Sequence, residues 1–372
     1  MDNMLELIIE CNSASLPLSL CKVKYTLPLI DCVVVEISPE NLDKLKELSD
    51  IKAVHKISHI TAQMNKARNT IKANNIPYSG KDITIAFLDT GISPIKDFDN
   101  RIIAFKDFIN GNDNAYDDNG HGTHVAGIAC GNGALSNKKY KGIAPDANIV
   151  ALKTLDYNGK GSAADILAGI QWIYDNKDKY NIRVVNLSIG TASSGTDDPL
   201  VKAAEAIWDM GITVVSAAGN NGPAPCTISS PGISRKIITV GSSDDDLETN
   251  IWGASLKNFS GRGPTQDCII KPDILAPGNS IVSCLAKDIN CSHSEIKDRF
   301  YRILSGTSMS TPMISGAVAN LLEKYPNLTP DDIKYMLKLS STSLGYPKNR
   351  EGWGLLNVSE LLSQEAYYVR HQ

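Results

Sequence analysis

The chain has 372 residues, is 42% hydrophobic and 21% charged, and carries a formal net charge of -4. That length allows one large domain plus a smaller one, and the composition is that of a soluble globular enzyme. The slightly acidic balance argues against nucleic acid or a membrane as a partner, and no apolar run is long enough to span a bilayer.

In chain order, Met1-Asp2-Asn3-Met4-Leu5-Glu6 is acidic and lacks the basic start and apolar core of a secretory signal. The eight cysteines are scattered rather than clustered as a disulfide framework. Both features predict a reducing, cytoplasmic location. Leu5–Ile9 reads as a strand, followed by an irregular stretch, and Cys32–Ile37 as a second strand. Ser38 and Pro39 open a helix over Glu40–Leu48, since serine caps well and proline fits the first turn. Ala53–Ile57 is another short strand, so the first ~65 residues form a small α+β unit. Thr61–Tyr78 is a polar connector with a helical piece at Lys66–Ala73. From residue 80 to 340, short apolar strands alternate with amphipathic helices. The strands are Ile83–Leu88, Ile149–Leu152, Val184–Leu187, Thr213–Ala217 and Ile237–Val240; the helices include Ala163–Tyr174 and Leu200–Trp208. This alternation predicts an α/β fold with a mostly parallel sheet and helices on both faces. Ligands of such sheets sit beyond the carboxyl ends of the strands.

Four polar motifs bear on chemistry. Asp89-Thr90-Gly91 follows the first central strand, where a rigid element would hold an orienting carboxylate; an Asp-initiated turn is the alternative. His121-Gly122-Thr123-His124 holds two of the six histidines, spaced to share a helix face. A zinc site there needs a third ligand, for which Cys291 and His293 are the candidates; the other assignment makes His121 a base and His124 a packed helix residue. Ala217-Ala218-Gly219-Asn220 ends a strand with a side-chain amide able to stabilise an oxyanion, or with a turn-forming Asn-Asn-Gly. Gly306-Thr307-Ser308-Met309-Ser310-Thr311-Pro312 sets a serine at the start of a long apolar helix, whose N-terminal dipole and free N–H suit a nucleophile.

The order Asp, His, Asn, Ser resembles that of the subtilisin-like serine proteases. The likeness runs from Ala67 to Val358. Three further motifs carry it: Val185-Asn186-Leu187-Ser188-Ile189-Gly190, Phe259–Pro264 and Lys271–Gly278. Within the family, the stretch from Gly219 to Gly241 is most similar to the intracellular branch. The resemblance implies a serine endopeptidase with Ser308 as nucleophile, His121 as base, Asp89 as its orienting acid, and Asn220 with the Ser308 N–H as oxyanion hole. It implies a substrate strand paired along Ser188, Ile189 and Gly190. Ala217, Ala218 and Gly219 would form one wall of the specificity pocket, with Ser229 near its floor and broad peptide specificity. It also implies that residues 1–64 are a propeptide-like inhibitory and folding domain that occupies the cleft, that 65–372 are the catalytic domain, and that self-processing cuts near Thr61–Met64. A permanent N-terminal binding module is the rival reading.

No cofactor is required for this chemistry, although a structural calcium is admitted, with Asp107, Asp113, Asp117 and Asp118 as its candidate ligands. A solvated acidic loop is the alternative. A binding or regulatory pseudoprotease is the rival function, set against the filled triad positions. An esterase is a third, opposed by the strand-pairing edge and by the absence of a Gly-x-Ser-x-Gly elbow. Cys226, in a Gly/Pro-rich loop after Asn220, is either a thiol-sensitive position or a small filler.

Overall fold

A computed structural model describes every residue except 1–3, 12–16, 18, 28–31, 57–62, 192–194, 196, 252–253, 288, 290–295 and 367–372. The chain forms two compact units, Met1–Thr61 and Ala62–Gln372. The first holds β1 (Leu5–Glu10), β2 (Cys21–Leu27), β3 (Cys32–Ile37), α1 (Pro39–Lys46) and β4 (Ala53–Lys56). Its antiparallel sheet runs β2-β3-β1-β4. Alternate residues Val33, Val35 and Ile37 meet Leu7, Ile9 and Leu45 in one apolar core, as a period-2 pattern demands. Ser38 caps α1 by accepting from the Asn41 N–H at 3.3 Å.

One expectation changes here. The stretch taken as irregular contains β2, an edge strand whose alternation is interrupted by a bulge between Val23 and Tyr25, with Tyr25 exposed. Edge strands carry solvent-facing residues and bulges, which blurs their pattern. Of the expected cleavage stretch, Thr61 and Ala62 lie outside the described residues, and Gln63 and Met64 open α2 (Gln63–Thr70).

After α2 the second unit runs β5 (Thr84–Asp89), β6 (Ile102–Asp107), α3 (His121–Cys130), β7 (Asn148–Lys153), α4 (Ala163–Asn176), β8 (Ile182–Leu187), α5 (Pro199–Asp209), β9 (Thr213–Ala217) and β10 (Ile238–Ser242). A short hairpin follows, β11 (Thr249–Ile251) with β12 (Ala254–Leu256), then β13 (Ile274–Ala276). β14 (Ile281–Cys284), β15 (Ile296–Asp298) and β16 (Tyr301–Leu304) form a small antiparallel sheet. Helices α6 (Thr307–Lys324), α7 (Pro330–Ser340), α8 (Lys348–Glu351) and α9 (Val358–Ser363) complete it.

Seven of these strands make one parallel sheet, ordered β13-β10-β9-β8-β5-β7-β6. β5, β7, β8 and β9 are almost wholly buried apolar runs, as strands covered on both faces must be. α3 packs with α6, and α4 with α5, giving two helical layers. α6 is buried from Met309 to Leu322, so it is a core helix rather than an amphipathic surface one. The parallel register sets Asp89 beside Lys153 and Leu187 beside Ser216, so the loops after β5, β7, β8 and β9 leave from one edge of the sheet.

Candidate active site

Asp89 ends β5 and His121 begins α3, and their side chains meet at that edge. His121 Nδ1 lies 2.7 Å from Asp89 Oδ1. A carboxylate can only accept, so Nδ1 carries the proton and Nε2 of the neutral ring is the basic nitrogen. Gly122 permits the approach: a Cβ there would stand 3.1 Å from both Asp89 Cβ and Oδ1. The Thr90 N–H also donates to Asp89 Oδ1, at 2.7 Å. Asp89 is 2% and His121 6% exposed. Burial alone would depress the imidazolium, but the charge and hydrogen bond of Asp89, assisted by Asp117, overcome it and hold His121 above the ordinary histidine value. His124 behaves oppositely. Burial, with Arg302 and His121 nearby, pushes it well below that value. Its Nε2 sits 3.1 Å from the Ile281 carbonyl, so it is a neutral packed residue.

The acidic loop does not gather into a cation site. Asp107 accepts the N–H groups of Ile109, Asn110 and Asn112 and the Tyr116 hydroxyl. Asp113 is exposed, and Asp118 pairs with Lys153 at 2.6 Å. Asp117 is enclosed by hydrogen-bond donors of its own. Among the described residues no three His, Cys, Asp or Glu side chains form a group that could hold a metal. Asp107, Asp117 and Asp118 are each engaged by separate sets of protein donors and Asp113 stands exposed, so these residues do not fit the ion. Cys291 and His293, the other proposed zinc ligands, lie outside the described residues.

Ser308 stands in the first turn of α6. Pro312, four residues on, has no N–H to give to the Ser308 carbonyl. That freed oxygen accepts instead from Ser188 Oγ at 2.9 Å, while Ser308 Oγ donates to the Ser188 carbonyl at 3.0 Å. Ser188 is itself held by Asn186 Nδ2 at 2.9 Å, and Asn186 Oδ1 accepts from Ser315 Oγ at 2.9 Å. The start of α6 is thus clamped to the end of β8. Asn220 Oδ1 accepts from both the N–H and the hydroxyl of Thr307 at 3.0 Å, which fixes the amide and leaves Nδ2 as the donor presented to the cleft.

His121, Ser308, Asn220, Ser188, Ile189 and Gly190 line one cleft of about 740 Å³, with Leu155 and Asn158–Gly161 along another side. Ala217, Gly219 and Ser229 belong to it as well. Ser229 packs against both walls: a Cβ on Gly190 would lie 2.7 Å from its Cβ, and one on Gly219 would overlap its hydroxyl. Ala218 does not line the cleft. It turns into a buried apolar cluster with Val201, Ile228 and Ile233, because neighbouring residues of an extended segment face opposite ways.

Sequence reasoning missed three participants. Thr307 orients Asn220, and Asn186 braces Ser188. Lys153 donates to the Thr90 and Leu155 carbonyls and to Asp118, tying together the loops on either side of the Asp89–His121 pair. Thr307 and Asn186 lie inside motifs already picked out, whereas a lysine at a strand end gives no such signal.

Comparison with known proteins follows the same residues. The profile described as "Subtilase family" matches residues 80–354. The chain is 40% identical over 334 residues to the protein named "Serine protease AprX" of Bacillus subtilis (strain 168), covering 85% of this chain and 75% of that one. It is 32% identical over 343 residues to an "Alkaline protease" of Alkalihalobacillus alcalophilus, covering 90% and 79% respectively. Among solved structures, a cold adapted subtilisin-like serine proteinase superposes with a TM-score of 0.60 at 28% identity, covering 76% of this chain and 91% of its own.

Proposed function

The chain belongs to the subtilase family and is a subtilisin-like serine endopeptidase, and from that premise we propose how it works: Asp89, His121 and Ser308 form its triad, and the N-terminal unit is its self-cleaved propeptide. Ser308 Oγ attacks the peptide carbonyl while His121 Nε2 takes its proton. The Asn220 amide and the Ser308 N–H receive the negative oxygen that develops. The C–N bond breaks as His121 returns the proton to the leaving amine, leaving an acyl-enzyme ester. A water then repeats the sequence in reverse and frees the acid. Asp89 holds the imidazole tautomer and stabilises the imidazolium. Every step is carried by this chain's own side chains and backbone.

The observation that carries this reading is the 2.7 Å Asp89–His121 hydrogen bond, set in the same cleft as Ser308 and an amide already oriented by Thr307. The edge Ser188–Gly190 pairs the substrate as a strand, which supports broad specificity, because main-chain pairing is tolerant of side chains. The propeptide role is supported by the small antiparallel α+β unit and by the alkaline protease match, whose 90% coverage exceeds what the second unit alone can supply.

A serine-directed phosphonate tests the triad. It should add one label per chain in the native protein and none in Ser308→Ala or His121→Ala; labelling of Ser308→Ala would refute the assignment. Intact mass tests the processing. An N-terminal piece ending near residue 64 should be lost from the Ser308 protein and kept by Ser308→Ala, whereas two uncut chains would make the unit a permanent module.

A further inference from the structure

Of the four carboxylates in the acidic loop, Asp117 is the one that acts on His121, and it is 3% exposed. Five donors enclose it. Oδ1 accepts from Thr90 Oγ1 at 2.8 Å, the Gly120 N–H at 2.7 Å and the Asn119 N–H at 3.2 Å. Oδ2 accepts from the Thr123 N–H at 2.9 Å and its hydroxyl at 2.6 Å. These donors come from two places: Thr90 directly follows Asp89, and residues 119–123 surround His121. Thr90 Oγ1 in turn accepts from the Gly122 N–H at 3.0 Å. A bridge between Gly91 and Asp117 joins the same two segments through the backbone.

α3 has no side-chain cap of its own, since Gly120 occupies the N-cap position. Asp117 takes over that function, satisfying N–H groups of the first turn with a negative charge at the positive end of the helix. The same carboxylate reaches across to the loop that carries Asp89. We propose that Asp117 is a positioning residue that locks His121 to Asp89, a buried carboxylate behind the base that never touches substrate. This rests on His121 and Asp89 being the base and its orienting acid.

The charged or titratable groups facing His121 are Asp89 at the end of β5, Asp117 in the preceding loop, Arg302 on β16 and His124 one turn along α3. Asp89 and Asp117 favour its protonated form, and Arg302 opposes it. Replacing Asp117 by a neutral side chain therefore removes one of the two carboxylates that hold the imidazolium, while the Asp89 contact remains.

The test uses the full chain and three variants, with Ser308→Ala as the background for titration. Asp117→Asn should lower kcat by about 10- to 100-fold with little change in KM, because a misplaced base costs turnover rather than binding. It should also move the acid limb of kcat/KM down by about 0.5–1 pH unit, since a nearby negative charge is lost. The His121 ring resonance, titrated in a Ser308→Ala background, should shift the same way without any need for activity. Thr90→Val breaks the tie but keeps the charge, so it should cost about tenfold in kcat and leave the acid limb in place. A folded Asp117→Asn chain whose limb and ring titration do not move would reduce Asp117 to a helix cap and overturn the proposal. If Asp117→Asn does not fold, Thr90→Val decides alone: native turnover there overturns it. His121→Ala separates the two levels. Full activity in that variant defeats the triad itself, whereas an inactive His121→Ala beside a native-like Asp117→Asn defeats only the positioning role.

Discussion

Two buried charge centres sit at opposite edges of the same parallel sheet, and they settle differently. At the carboxyl edge, burial acts against protonated His121, yet Asp89 and Asp117 together hold it above the ordinary value. At the amino edge, Lys271 precedes β13 and is 1% exposed. It donates to Asp273 at 2.6 Å, to Thr239 Oγ1 at 2.9 Å and to the Ile237 carbonyl at 3.0 Å. There burial wins, helped by the like charge of Lys334, and the lysine is lowered to about 7 despite Asp273. The difference is not the number of carboxylates, since Asp273 and Glu205 both favour the charged lysine. Lys271 shares Asp273 with Lys334, which lies 3.5 Å from that carboxylate, and there burial outweighs both. A displaced pKa thus marks a crowded charge, not by itself a site. The His121 centre opens onto a cleft that Lys271 does not line.

The sharpest way to break this contrast is Ser308→Ala. It should cut peptide hydrolysis by about 10⁶-fold, a size established for the nucleophile of subtilisin itself and borrowed from it, while leaving the unfolding midpoint close to native. Lys271→Met should do the reverse. Removing one partner of a buried pair leaves Asp273 with Lys334 at 3.5 Å as its cation, at a cost of about 3 kcal/mol in urea unfolding, with native kcat in the chains that remain folded. A large loss of kcat there would erase the distinction between a chemical and a structural edge. Asn220→Ala should lower kcat by about 10²–10³, again the range known for the corresponding donor of subtilisin, with KM nearly unchanged. An equal loss in binding would remove Asn220 from the oxyanion hole.

The same contrast explains what was legible in the sequence. The strands ending at Asp89, Leu187 and Ala217 were visible because strands buried on both faces are continuous apolar runs. β6 was not, since it is the sheet's edge and a register shift between Ile102 and Ala104 leaves its exposed residues, Ile103 and Lys106, out of alternation. β13, at the other edge, has only three residues and offers no period to read. The site's members lie in recognisable motifs because each is placed by its own strand end or helix start. What joins them was hidden. The role of Asp117 depends on donors at positions 90 and 123, and that of Pro312 on a carbonyl it leaves free for Ser188. An acidic loop suggested a cation, whereas Asp107 and Asp117 are filled mostly by N–H and O–H groups of the loop itself and Asp118 by Lys153. Ala218 differs for a simpler reason: successive residues of an extended segment face apart, so a motif read whole does not place every side chain in the cleft.

The smallest effect is the most diagnostic, because the two centres should bend the pH dependence of stability in opposite directions. His121 has a raised pKa in the folded chain, so its contribution to stability is complete below about 6.5 and is lost as pH climbs through the raised value. Lys271 has a lowered one. Between about 7 and its unfolded value the unfolded chain binds the proton that the folded chain has released, so stability climbs with pH across that window. Urea midpoints measured across pH in a Ser308→Ala background, which prevents self-digestion, should therefore lose the falling component in His121→Ala and the rising one in Lys271→Met. Catalysis reads the first centre independently. The base works only when neutral, so kcat/KM should rise with pH along an acid limb whose midpoint lies above about 6.5. Because the pair is buried, added salt should move that midpoint little. A midpoint at or below the ordinary histidine value would mean that burial wins at both edges, and that Asp89 and Asp117 do no more for His121 than Asp273 and Glu205 do for Lys271.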